Sequence, residues 1–89
     1  MPRDGDTLLK FPCRFPIKAM GRAGIGFDDL VIEIVRRHAA DLDETQVTIR
    51  ESRAGNWIAV TLVIEATSKA QLDAIYSDLS AHEHVVWAL

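Results

Sequence analysis

The run "GNWIAVTLVIEAT", Gly55 to Thr67, constrains the fold of this chain more than any other stretch. Read in alternation, Ile58, Val60, Leu62 and Ile64 form an unbroken aliphatic row, and Trp57, Ala59, Thr61 and Val63 form the opposite one. Period-two spacing with this β-branched content predicts a strand. The first row demands a packing layer. The second is barely polar, whereas a strand in a one-sided sheet shows water a polar face. Any fold proposed for the chain has to say what lies against each side.

The rest of the chain supplies one such layer. Two prolines in "FPCRFPIKAMG" restrict regular pairing to the residues after Pro16, because proline offers no ladder donor. A short strand therefore runs from Ile17 to Met20 and ends at Gly21, and "GRAGIG" comes next as a turn. In "FDDLVIEIVRRHAA" the period changes: Leu30, Val31, Ile34, Val35 and His38 make a helical stripe, with Asp28 or Asp29 as cap or first-turn acid. "DLDET" is a polar connection and "QVTIRES" a strand, with Val47 and Ile49 on one face and Thr48 and Arg50 on the other. "RAGN" is a hairpin turn whose Gly55 and Asn56 tolerate positive φ. A second helix spans "TSKAQLDAIYSDLSAH", opened by Ser68 and Gln71 at capping-box spacing and striped by Leu72, Ile75, Tyr76 and Leu79. "HEHVVWAL" closes as a strand.

The order β-α-β-β-α-β, with right-handed crossovers, predicts a ferredoxin-like α+β sandwich: a four-stranded antiparallel sheet with two helices on one face. Residues 1–10 read as a flexible N-terminal arm and 11–89 as a single domain, since 89 residues suit one small core. The helices then cover Ile58, Val60, Leu62 and Ile64, and only the arm remains to cover Trp57, Ala59, Thr61, Val63 and Met20.

The segments "FPCRFPIKAMG", "VIEIVRRHA", "RAGNWIAVTLVIEAT" and "VVWAL" resemble the YbeD-like family of small uncharacterised bacterial proteins, from about Phe11 to Leu89. The resemblance implies the ferredoxin-like fold and similarity to ACT regulatory domains. It implies no activity and supplies no catalytic residues. By the ACT analogy, a small effector would bind at the loop between the first strand and first helix, at Gly21, Arg22, Gly24 and Gly26. The loop "MGRAGIGFDD" carries more glycine than the family's tighter forms.

Candidate chemistry is sparse, and no enzyme, cofactor or metal is expected. His82 and His84 in "HEH" could share a strand face as metal ligands, but no third ligand is identifiable and a solvated corner suffices. Cys13 lacks a spaced base and reads as a small half-buried residue between prolines; as a lone cysteine it fits a reducing cytoplasm. Asp28 and Asp29 complement a helix dipole, and Asp41, Asp43 and Glu44 lack calcium-loop spacing. "GRAGIG" is no P-loop, and its glycines are also what a plain turn needs.

Lys18, Met20, Trp57, Ala59, Thr61 and Val63 are the candidate partner-binding residues on the open sheet face. The expected occupant is a protein partner or a second copy; a small-molecule effector at the glycine loop is the alternative. A net charge of −3 and a single aromatic on that face argue against nucleic acid, although a basic patch can hide in an acidic total. No apolar run approaches a membrane span.

Overall fold

The computed structural model describes residues 10–89. The arm expected over 1–10 lies, except for Lys10, outside the described residues, and so does its relation to the open sheet face. Strands β1 (Cys13–Arg22), β2 (Val47–Glu51), β3 (Trp57–Ala66) and β4 (Val85–Ala88) alternate with helices α1 (Phe27–Arg36) and α2 (Lys69–Ala81) in the expected βαββαβ order. They form one antiparallel sheet in the order β2-β3-β1-β4, so the fold is the ferredoxin-like sandwich.

Burial alternates along β3: Ile58, Val60, Leu62, Ile64 and Ala66 face the helices, joined from β1 by Ile17 and Ala19. The helices answer with Phe27, Val31, Ile34 and Val35 from α1 and Leu72, Ile75 and Leu79 from α2, in one continuous core. The stripe read from the sequence is right for α1, with Phe27 added one turn earlier. That helix stops at Arg36 rather than running to residue 40, and His38 lies in the turn beyond it. Its amino end is set by Gly26 at φ 72°, with Asp28 and Asp29 in the first turn and no side-chain cap.

β1 is longer than the prolines suggest, starting at Cys13 and pairing with β3 through Pro16 opposite Val63. Register explains why proline is tolerated in this inner strand. Lys18 donates to Leu89 at 2.9 Å and accepts from it at 2.7 Å, so alternate β1 residues, Pro16 included, turn their amide positions away from β3. β4 covers only the other end of β1, hence no ladder donor is missing at Pro16.

Gly21 requires close packing rather than flexibility. A Cβ there would lie 2.6 Å from Cδ1 of Phe27 and 2.5 Å from the His84 carbonyl oxygen. The bare backbone lets the Phe27 ring sit flush on the sheet where the β1–α1 crossover folds back.

The two helices are tied at their polar ends. Ser68 Oγ accepts from the Gln71 amide at 3.0 Å, as the capping-box spacing predicts. Gln71 Oε1 accepts from the Thr67 amide at 2.7 Å, and its Nε2 donates to the His38 carbonyl at 2.8 Å. His38 Nε2 meets Asp78 Oδ2 at 2.6 Å. No buried side-chain nitrogen or oxygen among the described residues lacks a partner.

Candidate functional site

The side of the sheet away from the helices is laid out by register. From β2 to β4 its rows read Val63 and Pro16, beyond the start of β2; then Thr48, Thr61, Lys18 and Leu89; then Arg50, Ala59, Met20 and Trp87. Trp57 lies opposite Arg22 at one end and Glu65 opposite Arg14 at the other. All six residues expected to share this face, Lys18, Met20, Trp57, Ala59, Thr61 and Val63, do so. Met20, Ala59, Thr61 and Val63 are half-buried by one another, Lys18 is exposed, and Trp57 keeps 38% of its surface.

Alternation predicts one aromatic here; the structure places two. Val85 opposes Gly21 on the helix side, so strict alternation would send Trp87 the same way. A bulge between Met20 and Gly21 in the β1–β4 pairing inserts Val86 and shifts the phase. Trp87 thus pairs with Met20 on the open side, and Ala88 returns to the core side opposite Ala19. Nothing in "VVWAL" encodes that slip locally.

The face is also basic. Arg14, Lys18, Arg22 and Arg50 are exposed on it. Glu65, Asp41 and Asp43 line a hollow with Arg14 at one end, and Glu83 lines a cleft with Arg22 and Trp57 at the other, so Lys18 and Arg50 are the two cations that line neither. None of the four cations has an ion pair with a carboxylate among the described residues. Arg14 donates to Gln46 Oε1 at 3.0 Å, and the Arg22 guanidinium lies 5.3 Å from the centre of the Trp57 ring. Arg14 escapes a sequence reading that begins the strand after Pro16. Arg50 is placed on the polar side of its strand by alternation, but its nearness to Met20 and Trp87 depends on strand order.

The glycine-loop residues divide. Gly21 is buried on the helix side, filled over by Phe27, while Arg22 ends β1 on the open face. Gly24 and Gly26 occupy the turn at φ 88° and 72°, a conformation that side chains resist, and a Cβ on either would meet nothing within 4 Å. Beside that turn a cleft of about 280 Å3 is lined by Arg22, Ile25, Trp57, Glu83, His84 and Val86.

The remaining candidates are structural. His82 and His84 lie in the turn between α2 and β4, where His82 Nδ1 accepts from the His84 amide at 3.2 Å. No group of three metal-ligating side chains occurs among the described residues. Cys13 is half-buried on the helix side opposite Ala66. Asp43 caps a short 3-10 turn, Glu44–Gln46: hydrogen bonds from the Thr45 hydroxyl and then the Thr45 amide hold its carboxyl below the usual range. Glu44 pairs with Arg36 at 2.9 Å. No helix among the described residues is long and apolar enough to cross a membrane.

Fold and face together define a small ferredoxin-like domain with one sheet surface covered by the helices and one that no helix among the described residues covers. Residues 6–89 match the family described as "Protein of unknown function (DUF493)". The chain belongs to that family, as the YbeD-like resemblance implied. It is 54% identical over 74 residues to a UPF0250 protein of Ectopseudomonas mendocina, covering 82% of this chain and 80% of that one. A UPF0250 protein of Chromobacterium violaceum is 44% identical over all 89 residues, the full length of both chains. Neither name states an activity. The solution structure of protein HP0495 from H. pylori superposes with a TM-score of 0.71 at 14% identity, over 100% of this chain and 94% of that one, and supports the fold.

Proposed function

We propose that this protein is a non-catalytic binding module of the cytoplasm, regulatory or adaptor in role, that docks a macromolecular partner on its open sheet face. One observation carries the reading: Met20, Trp57, Ala59, Thr61, Val63 and Trp87 form a continuous half-exposed surface that neither helix touches. No group of three metal-ligating side chains occurs among the described residues, and the His38–Asp78 contact lies on the helix side, away from this face.

A protein partner and a second copy are both candidate occupants. A symmetric dimer through this face would set the cations Arg14, Lys18, Arg22 and Arg50 of one copy against the same set on the other, and like-charge juxtaposition costs several kcal/mol. Trp57→Asp tests the face itself. Loss of partner capture, or a drop in mass by light scattering, supports the reading; unchanged behaviour with an intact fold refutes it.

A second reading rests on the cleft beside the β1–α1 turn. Its volume is near the lower end for small-molecule sites, and Arg22 would meet an anionic group there. An ACT-like effector role predicts a rise in melting temperature with an amino acid or a related carboxylic acid, abolished by Arg22→Ala and by Gly24→Val. No shift across such a series excludes it.

A further inference from the structure

On the reading that the open sheet face is the docking surface, we infer that its occupant is single-stranded RNA. The chain's net charge of −3 points away from nucleic acid, but the charge is not spread evenly. On the helix side, Arg36, Arg37 and Lys69 are each matched by a carboxylate, Glu44, Glu33 and Asp73. Among the described residues the four cations of the sheet face have no ion pair with a carboxylate, and Lys18 and Arg50, in its middle rows, line no hollow with an acid. Arg14, Lys18 and Arg22 recur every fourth residue along β1, so about 13 Å separates each from the next. Arg50 extends the array across the sheet on β2. A polyanion laid along β1 meets each of them in turn, with the acidic helices turned away from it.

Lys18 lies centrally in this array and is exposed, whereas lysine is depleted from the cores of protein interfaces. Trp87, beside Met20, and the side of Trp57 that the Arg22 guanidinium does not cover add π-faces at one end, and base stacking on sheet aromatics is how four-stranded platforms hold single-stranded RNA. Stacking needs unpaired bases, which excludes a duplex. Thr48 and Thr61, side by side in the Lys18 row, present hydroxyls that suit a ribose 2′-OH.

The test uses the full chain with a fluorescent 12-residue oligouridine, followed by anisotropy and by intrinsic tryptophan emission. The DNA counterpart, a duplex RNA and poly-L-glutamate serve as comparison probes. Expected is micromolar binding of the RNA with quenched tryptophan emission. The slope of log K against log salt should lie near −3, at about 0.7 per neutralised phosphate. Lys18→Ala with Arg50→Ala should weaken binding at least tenfold and flatten the slope by about 1.4. Trp87→Leu should weaken it by roughly 5- to 100-fold, as loss of one stacked base does. Unchanged thermal melting of these variants shows that the fold is intact.

No binding at millimolar protein overturns the inference, as does a preference for the duplex or for DNA. Equal binding of poly-L-glutamate without quenching also overturns it and assigns the face to an acidic protein. If RNA fails while Trp57→Asp still abolishes partner capture, the docking face stands and only its occupant changes. If RNA binds and none of these substitutions weakens it, the face itself is wrong.

Discussion

The two sides of this sheet are made by the same strands, residue by alternate residue, yet they obey different rules. On the helix side, Ile17, Ala19, Val60, Leu62 and Ile64 are at most 3% exposed, and Gly21 is stripped of a side chain so that Phe27 can approach. The cations of that side are neutralised by nearby carboxylates. On the open side, apolar residues stop at half burial, two tryptophans are not fully buried, and the cations have no ion pair with a carboxylate among the described residues. Close packing with matched charge belongs to a surface completed within the fold. Partial burial without ion pairs is what the proposed docking role requires of the other surface.

Substitutions on the two sides should therefore separate stability from binding. The largest stability loss is expected from Phe27→Ala, about 3–5 kcal/mol by chemical denaturation. That would remove much of the roughly 5–15 kcal/mol typical of a whole domain. Gly21→Ala should cost about 1–3 kcal/mol, because the His84 carbonyl is backbone and cannot swing aside. Combining it with Phe27→Leu should cost less than the sum of the two, and strict additivity would show that the ring does not rest on Gly21. Gln71→Ala, which frees the Thr67 amide and the His38 carbonyl together, should cost about 1–2 kcal/mol in the same assay.

On the open side the pattern should invert. Trp57→Ala should change stability by about 1 kcal/mol or less, the scale of one cross-strand pair, while abolishing partner capture. A loss as large as that of Gly21→Ala would make this face part of the core and end the comparison.

The smallest effect concerns Asp43, in the turn before β2 at the Arg14 end of the sheet. Its carboxyl is held low in the folded state, so it favours folding above the ordinary carboxylate pKa, and that contribution disappears as pH falls through the lowered value. Thr45→Val removes the hydroxyl donor and should move the Asp43 carboxyl upward in an NMR titration. The stability difference from the parent should be present at neutral pH and vanish in acid.

Much of this is legible in the chain itself. The 57–66 alternation, the α1 stripe and the Ser68–Gln71 spacing are local patterns, because a strand or helix repeats its environment every two or 3.6 residues. They are enough for the element order, the fold and six residues of the open face. The start of β1 is missed when Pro16 is judged as a strand residue in general. Its cost depends on whether a neighbouring strand needs the missing donor, and that is settled by where β4 ends.

What the sequence determined alone is the pair of unlike rows on β3, since alternation is a property of the extended backbone. What only the tertiary structure decided is the company those rows keep. The β4 bulge turns Trp87 outward beside Met20, and the strand order sets Arg50 of β2 on the same surface as Arg14, Lys18 and Arg22 of β1. Charge in a composition simply adds, whereas charge in a fold has position, and a partner meets only the part that faces it.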